Sequence, residues 1–134
     1  MNFKKIHHIA IICSDYNLSK EFYVSKLGFK VIWEVYREER QSYKLDLSLN
    51  GEYVIELFSF PDAPERPSYP EARGLRHLAF EVECIEESVA ELMDLGIEPE
   101  EIRIDPYTQK RFTFIEDPDG LPLELYEDRK GFPA

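Results

Sequence analysis

The chain is poor in cysteine, has a single tryptophan, and is short of positive charge. The scarcity of cysteine and that of positive charge each remove a class of protein. Two cysteines in 134 residues, Cys13 and Cys84, both sit in apolar, strand-like runs. They read as buried reduced thiols rather than as a disulfide framework or half a zinc site. Sixteen Lys and Arg against 27 Asp and Glu leave a formal net charge of −11. That charge repels phosphate backbones and anionic headgroups, so no nucleic-acid partner and no membrane surface is expected. No apolar run approaches the roughly 18 residues of a spanning helix, and Met1–His8 turns polar too soon to form a signal-peptide core. The expectation is a cytoplasmic protein. Core material is ample: hydrophobic residues make up 43% of the chain, enough for one compact domain or two small modules.

The chain also repeats itself. Ile6-His7-His8-Ile9-Ala10-Ile11-Ile12 resembles Leu75-Arg76-His77-Leu78-Ala79-Phe80-Glu81, each with a His two residues before an Ala. Leu27-Gly28-Phe29 is mirrored by Leu95-Gly96-Ile97, and Val54-Ile55-Glu56-Leu57-Phe58 by Pro122-Leu123-Glu124-Leu125-Tyr126. The intervals agree: His8 to Gly28 is 20 and His77 to Gly96 is 19, while Gly28 to Glu56 and Gly96 to Glu124 are both 28. Internal repeats of this kind change what every residue in them means.

Each copy reads as strand, helix, then three strands. In the first, residues 6–13 are β-prone, and Ser14 or Asp15 caps a helix whose apolar face is Leu18, Phe22, Tyr23 and Leu27. Gly28 stops that helix. Strands are expected near 29–37, 42–49 and 52–60, with Asn50-Gly51 as a two-residue hairpin turn. In the second, the helical stripe is Ile85, Val89, Leu92 and Met93, ended by Gly96, and strands follow near 100–105, 110–116 and 121–127, with Asp119-Gly120 as the closing turn. The fold class is therefore α+β, two βαβββ modules, over 1–60 and 75–134. The proline-rich stretch 61–74 between them reads as a semi-rigid linker; extended at about 3.1 Å per residue it reaches on the order of 40 Å.

Four residues are out of place in apolar strands. Val54, Glu56 and Phe58 share one face of a strand and Ile55 and Leu57 the other, so neither face is plainly solvent. A carboxylate there must be paired, protonated or metal-bound. Glu124 poses the same problem in the second copy, and His8 and His77 lie on the first strands. Taken singly, each has an ordinary reading: a core histidine bonded to backbone, a glutamate paired with a cation. Two imidazoles and two carboxylates at matched positions make a neutral site for a divalent cation, which resolves all four together. His7 points to the opposite face from His8 and reads as structural.

The paired βαβββ pattern, the two His-x-Ala segments and Asp117-Pro118-Asp119-Gly120-x-x-x-Glu124-Leu125 resemble the vicinal oxygen chelate superfamily, specifically glyoxalase I-like proteins and an uncharacterised bacterial subgroup of them, over residues 5–127. The resemblance implies that His8, Glu56, His77 and Glu124 are the ligands of a nickel, cobalt, zinc or manganese ion. It implies that a ligand carboxylate, Glu124 or else Glu56, moves a proton between adjacent carbons of a small-molecule substrate through an enediolate. A homodimer is implied as well, with modules paired within one chain or across a swapped dimer. No further cofactor-binding residue is assigned. Glyoxalase I places an Arg four residues after its first ligand and an Asn four after its second to hold a glutathione carboxylate; here Ile12 and Phe60 stand there. Arg37, Arg66, Arg73, Arg76, Lys110 and Arg111 are other candidate anion holders. Competing functions are an acyl-thioester epimerase, an extradiol-type dioxygenase and a metal-free small-molecule binding module. Dioxygenases and fosfomycin-type thiol transferases use three ligands, so the quartet counts against them.

Overall fold

A computed structural model describes residues 1–128; the last six residues of the second module as read from the sequence lie outside them. The chain divides into two compact units, Met1–Glu65 and Arg66–Ala134. The architecture is α+β, with one four-stranded sheet in each unit. No helix among the described residues is long and apolar enough to cross a membrane.

In the first unit β1 (Ile9–Cys13) leads into a helix that begins as an α-turn, α1 (Tyr16–Lys20), and continues through a wider π-type turn (Glu21–Lys26). Asp15 caps it by accepting a hydrogen bond from the Leu18 N–H at 3.1 Å. The strands β2 (Lys30–Arg37), β3 (Ser42–Leu49) and β4 (Glu52–Ser59) follow, in the sheet order β1-β4-β3-β2. Only β1 and β4 run parallel. Ile11, Cys13, Leu45, Leu47, Ile55 and Leu57 line one face and are buried with Phe22 and Tyr23 of the helix. Each fully buried leucine or isoleucine contributes about 1.5–3 kcal/mol of transfer free energy. The opposite face carries Ala10, Ile12, Trp33, Lys44, Asp46, Glu56 and Phe58, set by the pairings Ala10↔Glu56, Asp46↔Glu56 and Trp33↔Asp46.

The second unit repeats this plan with β5 (Leu78–Val82), α2 (Ile85–Asp94), β6 (Arg103–Ile104), β7 (Arg111–Glu116) and β8 (Pro122–Glu127), in the order β5-β8-β7-β6. Leu123, Leu125, Ile115 and Ile85 are in its core. Gly96, at φ +77°, ends α2 as expected. The Ile97 N–H reaches back to the Leu92 carbonyl at 2.9 Å, and the two side chains are both buried, the contact that accompanies a left-handed helix stop.

Several expectations need correcting. The first strands are shorter than read: β1 starts at Ile9 and β5 at Leu78, so each ligand-type histidine immediately precedes its strand. The registers explain both. By extension of the ladder, His8 faces Val54, the extra residue of a bulge in β4, and His77 faces Pro122, which has no N–H to offer. Leu18 and Met93, placed on the buried stripes, are 51% and 63% exposed. In the first helix the π-type turn, with Leu27 N–H bonded to the Phe22 carbonyl five residues back, shifts the phase, and Tyr16 and Ser19 are buried instead. Cys84 is no strand residue: it precedes α2 and is half-buried. Finally, the proline-rich segment is not an extended rod throughout. The Arg66 guanidinium donates to the carbonyls of Leu75 and Arg76 at 3.1 and 2.7 Å, closing residues 66–76 into a loop within the second unit.

Candidate metal centre: two half-sites

The His-x-Ala pattern has a structural cause in each unit. In the parallel pair β1–β4, Ala10 stands opposite Glu56, and in β5–β8, Ala79 stands opposite Glu124. A methyl beside each carboxylate leaves it room, and the histidine two residues earlier, just ahead of the strand, comes to the same face. His8 Nε2 thus lies 3.6 Å from Glu56 Oε1, and His77 Nε2 3.4 Å from Glu124 Oε1. The imidazoles are about one-third exposed and the carboxylates 16% and 15% exposed, so all four donors are reachable. Imidazole nitrogen with carboxylate oxygen is a donor set suited to first-row divalent cations. Among the described residues no group of three His, Cys, Asp or Glu side chains is gathered to hold a metal ion; each unit carries one imidazole beside one carboxylate.

The surroundings of the two pairs differ. Glu56 is held by Lys44 Nζ at 3.3 Å and by the Tyr53 hydroxyl at 3.4 Å. Lys44 also donates to both oxygens of Asp46, at 2.7 and 2.8 Å, and Tyr53 donates to Asp46 Oδ1 at 2.7 Å. Burial alone would lower the Lys44 pKa, but the hydrogen bonds and charges of Asp46 and Glu56 outweigh it and hold the ammonium above its ordinary value. Burial, then Asp46 and Glu56, push the Tyr53 phenol up, so it stays a donor. Tyr53 reaches this face because of the β4 bulge: Leu47 pairs with Ile55 but Ser48 pairs with Tyr53, leaving Val54 extra. Its ring stacks on His8 with centroids 5.0 Å apart.

In the second unit Phe114 occupies the position across from Glu124 that Asp46 occupies across from Glu56. Its ring meets His77 edge-on at 5.1 Å. Among the described residues no Lys or Arg lies within ion-pair distance of Glu124.

Sequence reasoning missed Lys44, Asp46 and Tyr53, and it misplaced His7. With His7 and His8 both ahead of the ladder, their Nδ1 atoms lie 2.8 Å apart. A hydrogen bond at Nδ1 is the interaction that fixes which ring nitrogen of His8 is left to face a ligand.

The candidate anion holders sort clearly. Lys110 is paired with Asp128, and Arg111 with Glu86 and Glu127. Arg111 also projects from the helix-packed face, with Thr113 and Ile115, rather than from that of Glu124. Arg66 is committed to its loop, Arg73 is exposed, and Arg76 lies over the Tyr69 ring. Arg37 lies over Phe58 and Phe60.

The family model for the Glyoxalase/Bleomycin resistance protein/Dioxygenase superfamily matches residues 5–125. The chain belongs to this superfamily. Its superfamily relatives include the uncharacterized protein YwkD of Bacillus subtilis (strain 168), 72% identical over 127 residues that cover 95% of this chain and 99% of the relative. The crystal structure of the glyoxalase family protein from Enterococcus faecalis is 56% identical, covers 95% of this chain and 100% of that one, and superposes with a TM-score of 0.89. FosX, the fosfomycin resistance protein of Listeria monocytogenes, was solved complexed with Mn(II) and a dihydroxypropylphosphonic acid. At 19% identity, a TM-score of 0.73 and 96% coverage of both chains, it shares the superfamily fold.

Proposed function

We propose that the chain is a metal-dependent lyase or isomerase of the glyoxalase I type, cytoplasmic and homodimeric, acting on a small oxygenated molecule such as a thiol hemithioacetal of an α-oxoaldehyde. The observation that carries this reading is the duplicated half-site: one imidazole and one carboxylate side by side, at the same register against an alanine, in each unit. His8, Glu56, His77 and Glu124 would hold one nickel, cobalt, zinc or manganese ion, two neutral and two anionic donors balancing its charge. When bound, the cation supplies Lewis acidity that stabilises negative charge on the substrate's oxygens.

The two carboxylates then differ in role. Glu56, clamped by Lys44 and Tyr53, remains an anionic ligand. Glu124, with an aromatic neighbour and no clamping cation among the described residues, accepts the proton from one substrate carbon and returns it to the adjacent carbon. Ile12 and Phe60 stand where glyoxalase I holds glutathione, which favours a second reading, epimerisation of an acyl thioester, with the same proton transfer.

The test is elemental analysis of protein reconstituted with each of the four metals, followed by assays with methylglyoxal and several thiols. About one ion per chain is expected, lost in His77→Ala and in His8→Ala. Absence of metal after reconstitution, or full occupancy in His77→Ala, sinks the reading. Light scattering decides between dimer and monomer.

A further inference from the structure

We infer that the far end of the first unit's open sheet face carries an oxyanion-binding site, built on Arg37 with Arg40 at its rim, for the carboxylate or phosphate end of a small molecule. Along β2, Trp33 stands opposite Asp46, Val35 opposite Lys44 and Arg37 opposite Ser42, so all three side chains share the face of Glu56. The Arg37 guanidinium carbon lies 4.8 Å from the Phe58 centroid and 5.7 Å from that of Phe60, and Arg40 lies 5.5 Å from Phe60. The two rings are themselves stacked at 5.6 Å.

A guanidinium held over an aromatic face is restrained by that contact, and its N–H groups lie in its own plane. One of them, on Nη2, donates to Ser42 Oγ at 2.8 Å. The Nε is buried and has no hydrogen-bond partner, an arrangement that costs free energy until an acceptor arrives. An oxyanion is the acceptor that suits both the donor geometry and the charge. Among the described residues no carboxylate lies within ion-pair distance of Arg37 or Arg40, although Lys20, Lys44, Arg103, Lys110 and Arg111 are each paired with one.

Four residues of strand separate Trp33, in the row of Glu56, from Arg37, on the order of 13 Å. A molecule reaching from Glu56 to Arg37 therefore has the length of a thiol adduct or thioester with a terminal oxyanion. As a substrate subsite the proposal rests on the metal reading; as an anion site it does not.

The experiment uses full-length protein stripped of metal by chelator, titrated separately with acetate and inorganic phosphate. The readouts are the Arg37 Nε–H resonance and the fluorescence of Trp33, the one tryptophan. A saturable shift of both is expected. Arg37→Gln should weaken anion binding about ten- to a hundred-fold, and Arg37→Lys, which keeps the charge but has no Nε–H, should not restore it. Arg73→Gln should bind as the parent does. Saturation by acetate alone identifies a carboxylate site, and by phosphate alone a phosphate site. An Nε–H resonance indifferent to both anions, or unchanged affinity in Arg37→Gln, overturns the proposal. Should the variants not fold, the Nε–H titration of the parent protein decides. Because metal is absent throughout, failure here leaves the metal reading untouched.

Discussion

The two half-sites share a backbone plan and differ in almost everything around it. Alanine faces glutamate across a parallel pair in both, and the imidazole-to-carboxylate distances, 3.6 and 3.4 Å, nearly coincide. Yet Glu56 is clamped by a lysine and a phenol, whereas Glu124 has Phe114 across the strand and, among the described residues, no cation within ion-pair distance. The imidazole–carboxylate geometry is the same in both units while the residues around each carboxylate differ. On the proposed reading, the duplicated geometry would hold the cation and the asymmetric surroundings would separate a ligand from a base.

That asymmetry is broken most sharply by exchanging the carboxylates for amides. Once a substrate is found, Glu124→Gln should keep its metal and lose turnover by a factor on the order of 10² to 10⁴. Glu56→Gln should lose metal and activity together. The reverse pattern, with metal content and turnover measured on one preparation, would exchange the roles of the two residues.

The units also differ in how an acid fastens the helix to the sheet. Glu127, 2% exposed, accepts from the Ile85 N–H at 3.1 Å and pairs with Arg111. Glu127→Gln weakens that buried pair and Arg111→Met leaves the carboxylate uncompensated; the latter should cost about 3–5 kcal/mol in denaturant unfolding. A loss below 1 kcal/mol would mean that water replaces the guanidinium.

A smaller effect should separate the polar wall from the aromatic one. Tyr53→Phe removes the phenol that orients Glu56 and Asp46 and should weaken metal binding about 10- to 100-fold by competition with a chelating dye. Phe114→Leu, on the other side, should change it little. Equal losses would erase the distinction.

The smallest expected effect lies at Glu34, which accepts from Lys20 at 2.7 Å and from Tyr16 and ties the first helix to β2. Hydrogen bonds from Lys20, then from Tyr16, lower its pKa. A depressed carboxyl contributes stability above its unfolded pKa and loses it as pH falls through the folded one. Because this side chain is 34% exposed, Glu34→Gln should cost at most about 1 kcal/mol at neutral pH. The difference from the parent should close on acidification; a constant gap between pH 7 and pH 3 would argue against the ion pair as its source.

The ligand-type residues were legible because they repeat: matched intervals placed Glu56 and Glu124 in register without any knowledge of the sheets. Local turn chemistry was legible too. Asn50 and Gly51 both have positive φ, at 50° and 83°, as a hairpin turn of that composition requires. What stayed hidden depends on register between strands distant in sequence. Arg111 lies one residue from the site face, and only the β7–β8 pairing shows it turned away. Tyr53 sits at odd parity with Glu56 and is brought beside it by a bulge that no periodicity announces. His7 misled for a related reason, since alternation governs residues in a ladder and β1 has not yet begun there.

The bulges carry a further consequence, for insertions and deletions. Val54 in β4 and Ile32 in β2 are the residues skipped by the pairings Leu47↔Ile55 then Ser48↔Tyr53, and Val31↔Leu47 then Trp33↔Asp46. Removing either codon would leave every remaining partner where it is and turn the irregular step into a regular one. Removing a neighbouring codon within Ile55–Phe58 would instead invert the faces of all residues on one side of the cut. The first unit thus holds two places where the chain can shorten by one residue and keep its ladder. The second unit, whose strand pairings run without a skip among the described residues, has no such slack.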